Sequence, residues 1–202
     1  RRVLFRSYRL GPSVEGQSTD LVTILTVDPF MPTVETPASG TGAVDEGTLD
    51  PGGASVTLPP NAHWLVGDPA NGVGPMQAGD LVLFKNPRGM AMQAVTGVDA
   101  THLYFAEGDS FHLNQRTAPQ GTLMQIKDST STTSTWTEKA TLFRLLLISY
   151  YVDTTTTPGT PRLMRKVNNF TAQALAGAIE DLDLTYDLVD RSEEHTSELQ
   201  SH

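Results

Sequence analysis

The chain has 202 residues, 38% of them hydrophobic and 7% aromatic, with a net charge of −9 and no cysteine. One domain of this size buries about 70% of the surface its unfolded chain exposes, so a core can form without disulfides or a structural metal. The acidic balance argues against nucleic acid as a main partner, since phosphate binding needs clustered Lys and Arg. The absence of cysteine excludes thiolate chemistry, and no run of about 18 apolar residues is present to span a bilayer.

The chain opens on Arg1 to Ser7, RRVLFRS. One DNA string for these residues is AGA CGT GTG CTC TTC CGA TCT. Its reverse complement encodes RSEEHTS, which is Arg191 to Ser197 of the same chain. The string resembles a short-read sequencing-library adapter, and its continuation would encode Glu198 to Ser201. Residues 1–7 and 191–202 are therefore expected to be translated adapter, leaving 8–190 as a fragment open at both ends. Those ends hold four of the 14 basic and three of the 23 acidic residues, so the remainder carries a net charge of −10.

Between the ends the chain reads mostly as strands. Asp20 to Val27 (DLVTILTV) is rich in β-branched and apolar residues and stops at Asp28-Pro29. Residues 31–54, rich in Pro, Gly, Thr and acid, are expected to form one long loop. Ser55 to Leu58 is a short strand ending at Pro59-Pro60. Leu81 to Lys85, Met90 to Thr96 and His102 to Ala106 follow, separated by the turn sequences Asn86-Pro87-Arg88-Gly89 and Gly97-Val98-Asp99-Ala100. This spacing predicts a meander of short antiparallel strands. The polar tract STSTTSTWT at 129–137 is either an exposed loop or a Thr-rich edge strand.

Thr141 to Val152 (TLFRLLLISYYV) is the most apolar run and is read as a strand rather than a buried helix. A turn at Asp153 to Thr160 returns it into Pro161 to Val167 as a hairpin. Thr171 is a candidate cap for a helix of about two turns over Ala172 to Ile179. Leu182, Leu184, Tyr186 and Leu188 then alternate with Asp181, Asp183, Thr185 and Asp187, the period of a strand with one apolar and one acidic face. The expected fold is mainly β: an antiparallel sheet head with one short helix.

The residues that could carry chemistry are sparse. His102 and His112 flank Glu107-Gly108-Asp109, but no histidine spacing typical of a metal site is present. Asp45, Glu46 and Asp50 could offer oxygen ligands to calcium, yet their spacing does not match an EF-hand loop, and they are read as a solvated acidic loop. His63 has no such neighbours in sequence. Nucleophile-elbow, phosphate-loop and dinucleotide-binding patterns are absent. Asp181 and Asp183 are read as the wet face of a strand rather than as an acid–base pair. No catalytic, cofactor or metal residue is assigned, and no enzymatic activity is expected. Arg162, Arg165 and Lys166 form the one basic cluster, which either meets an acidic surface on a neighbouring subunit or, as the simpler reading, pairs within the sheet or faces water. Asn169-Phe170-Thr171 matches a glycosylation sequon, a pattern too short to carry weight alone.

The stretch from Leu147 to Asp190 resembles the C-terminal region of minor pilins of the PilW type and the related J-type pseudopilins of type II secretion. The residues that carry the resemblance are the strand ending in Tyr150-Tyr151, the return strand with Leu163-Met164-Arg165, the Ala-rich stretch at Ala172 to Ala178, and Ile179 to Tyr186 (IEDLDLTY). Gly79 to Val82 and Gly108 to Gln115 (GDSFHLNQ) also look like features of this group. The family begins with a short leader, a Gly-Phe-x-Leu-x-Glu-like processing site and a long apolar helix. The resemblance implies that these lay upstream of Tyr8. It further implies a structural subunit of a type IV pilus-like filament, anchored in the inner membrane by that helix, with its head in the periplasm or on the pilus and other minor pilins as partners. The alternative is an extracellular adhesin or carbohydrate-binding β domain, presenting Trp64, Trp136 and Phe111 to a ligand.

Overall fold

A computed structural model describes residues 3–14, 17–36, 44–115, 123–127, 135–154 and 160–179, with side chains from residue 21 onward. The architecture is mainly β and antiparallel. β1 (Val3–Val14), β2 (Gln17–Val27), β3 (Val34–Thr36), β6 (Leu81–Asn86), β7 (Gly89–Ala94), β10 (Ala140–Asp153), β11 (Arg162–Val167) and β12 (Gln173–Gly177) form one sheet. β4 (Thr48–Leu49), β5 (Ser55–Thr57), β9 (His102–Tyr104) and β8 (Gly97–Val98) form a second, in that spatial order.

β10 is the shared strand of the larger sheet. Its first half pairs with β3 through Leu142 and Val34, and with β6 through Leu142 and Phe84. Its second half pairs with β2 through Ile148 and Ile24, and with β11 through Ile148 and Val167. Fourteen residues let one strand serve four neighbours. The apolar run that sequence reading assigned to a strand is thus the spine of the fold, and its hairpin with β11 is present.

The core follows from side-chain alternation, since successive residues of a strand point to opposite faces. On one face of the first half, Leu142, Phe84, Val82 and Val34 are buried against Val56, Leu103 and Phe105 beside the smaller sheet. Phe84 and Phe105 meet edge to face with ring centroids 5.4 Å apart, a favoured aromatic geometry. On the other face, Leu81, Ala94 and Leu145 are buried beneath Phe111 and Leu113 of the loop after β9.

Three sequence expectations need correction. Residues 31–54 are not one loop, because β3 and β4 lie within them. Three or two residues are too few to show a period, and only pairing with β10 and β5 makes them strands. The meander over 81–106 breaks after β7: β6 and β7 form a hairpin in the larger sheet, whereas β8 and β9 belong to the smaller one. Ala172 to Ile179 is not a helix. Gln173–Gly177 pairs with Arg162–Val167, and two isolated turns cannot repay the cost of helix nucleation when a strand edge is available. The short α-helix is instead α1 (His63–Val66), anchored by buried Trp64. The alternating stretch at 182–188, with Asp181 and Asp183, lies outside the described residues, as do 129–134 of the polar tract and 155–159 of the hairpin turn.

Candidate functional site

The densest polar centre sits where β6 and β11 meet along one edge of β10. Arg144 projects from β10 with its side chain 11% exposed and faces Asp80, whose side chain is fully buried. Its Nη2 donates to both carboxylate oxygens of Asp80 at 3.1 and 3.2 Å, and its Nε donates at 3.3 Å. Nη1 donates to the Gly74 carbonyl at 3.1 Å and lies 3.8 Å from Asp28. Asp80 also accepts from the Gln77 amide at 3.0 Å and from the Asn168 side-chain amide at 3.1 Å. Burial pushes the Asp80 carboxyl above its ordinary range, against the pull of the Arg144 charge.

Asn168 completes the junction. Its backbone is left-handed, with φ at 48°, a conformation asparagine tolerates better than most residues. Its side-chain oxygen accepts from the Leu147 backbone N–H at 2.8 Å, while its own backbone N–H donates to the Leu147 carbonyl at 2.8 Å. One asparagine thereby carries the β11 ladder across the gap to β6. All the members are already satisfied by one another, so this centre fixes strand geometry and presents no reactive group.

Three smaller clusters hold the predicted histidines. His102 Nδ1 lies 3.1 Å from the Asp99 carboxylate and 2.9 Å from the Thr101 hydroxyl, and its ring stacks on Tyr104 at 5.7 Å. The Tyr104 hydroxyl donates to Asp99 at 2.6 Å; this bond and the Thr101 and His102 amides hold the Asp99 carboxyl well below the usual range, and the Tyr104 hydroxyl is pushed up in return. His63 at the start of α1 pairs with Asp45 at 2.9 Å, tying the loop before β4 to the helix. Asp109 accepts from the amides of Phe111, Leu113 and Asn114, and Asn114 bonds Ala94 and Ala106, so GDSFHLNQ is a self-braced loop over β7. His112 sits in that loop with φ at 55°.

The structure does not gather His102, His112, Glu107 and Asp109 into a metal centre. Among the described residues no group of three or more His, Asp or Glu side chains could hold a metal ion. Asp45 and Asp50 are likewise apart in role: Asp50 accepts from the amides of Gly52 and Ala54 in its own turn. The basic cluster is split by the pleat. Arg162 and Lys166 share one face of β11, and Arg165, opposite Tyr150, lies on the other. Among the described residues no carboxylate pairs with any of the three within 4.0 Å. Asn169 is exposed in the turn after β11.

The aromatic residues considered as a ligand platform are mostly internal. Trp64 is fully buried and donates its indole N–H to the Pro32 carbonyl at 2.7 Å. Trp136 is buried, donates to the Asp50 carbonyl at 2.9 Å and carries Lys127 Nζ 5.6 Å above its ring. Phe111 packs against the second core cluster. What sequence reading missed is the Arg144 junction. An arginine inside TLFRLLLISYY was its one available signal, because a charge in so apolar a strand requires a buried partner.

No protein-family model, curated protein or solved structure matches the chain. Among the described residues no helix is long and apolar enough to cross a membrane.

Proposed function

We propose that the chain is the β-rich head of a minor pilin or pseudopilin, a structural subunit that takes part in assembly or initiation of a type IV pilus-like filament. The observation that carries this reading is the β10–β11 hairpin, which lies in the segment bearing the resemblance and extends the sheet beyond the two-layered core. Paired residues of that extension share faces. Val22, Ile24, Leu146, Ile148, Val152, Leu163 and Val167 lie on one face with Tyr150 and Arg165; Thr23, Leu25, Leu147, Ser149, Tyr151, Met164 and Lys166 lie on the other. A sheet extension with apolar residues on both faces suits a head that packs on a segment of its own chain on one side and meets neighbouring subunits on the other. In this reading the membrane anchor is a helix upstream of the head, and the partners are other minor pilins.

Clean deletion of the source gene is the test. Surface pili or filament-dependent secretion should fall and return on complementation; unchanged assembly in the deletion strain would overturn the proposal. The alternative, an extracellular adhesin or carbohydrate-binding domain, would have to bind through residues other than the buried Trp64 and Trp136. Glycan-array binding by the isolated domain is its test.

A further inference from the structure

We draw no further inference here: the strongest candidate, the apolar face of the sheet extension at Val22, Ile24, Ile148, Leu163 and Val167, has nothing among the described residues to show what covers it.

Discussion

Asp80 and Arg144 show how one charged pair disciplines an apolar strand. Both are largely out of water, so removing either leaves its partner buried without its main counter-charge, a loss of about 3–5 kcal/mol in comparable cases. Asp80→Ala and Arg144→Ala should each destabilise by that order in denaturant melts, and the double mutant should lose far less than the sum. Asn168→Gly keeps the left-handed backbone accessible but removes the side-chain bonds to Leu147 and Asp80. It should cost about 1–3 kcal/mol and speed hydrogen exchange at the Leu147 amide. The pH response has two opposite signs. Asp99 has a folded pKa below its ordinary 3.8, so its contribution is present above that value and is lost as pH falls. Asp80 is raised, so its share of stability declines as pH rises past 3.8. Tyr104 is raised from 10.0; its contribution holds below that pH and is lost as the hydroxyl ionises in the fold. A phenol titration by NMR should find Tyr104 ionising later than an unperturbed tyrosine, and Asp99→Asn should abolish the delay.

At the scale of elements, the strands legible in sequence were those whose apolar or β-branched residues are bounded by turn residues, the three-residue β5 and β9 included, whereas the twelve residues of β1 were not read as a strand. β2, β6, β7, β10 and β11 fall where β-branched and apolar runs end at Pro, Gly and Asp turns. β3 and β4 are defined by their partners and carry no period of their own. The Ala-rich stretch was misread because alanine favours a helix only when a nucleus forms, whereas Gln173–Gly177 finds a ready strand beside it. All five residues of β12 are exposed, so strand propensity there is little masked by packing. Ala174→Thr with Ala176→Thr should therefore raise stability by about 0.5 kcal/mol. Lowered stability in a thermal melt would instead indicate a helical segment.

Across the molecule, one strand organises two different environments. The first half of β10 is clamped between two core clusters, and the second half carries a sheet extension with apolar residues on both faces. The mainly β class was legible because local runs report class, but the division of strands between two sheets was not, because it depends on contacts distant in sequence. The polar junction was equally hidden: Asp80, Arg144 and Asn168 are separated by 64 and 24 positions, and only pairing along β10 brings them together. The filament reading makes its sharpest demand on the gene itself. Genomic sequence across Tyr8 should reveal about 20 consecutive apolar residues upstream, preceded by a Gly-Phe-like processing site, in place of the RRVLFRS codons. An unbroken native reading of those codons, with no apolar segment before them, would contradict it.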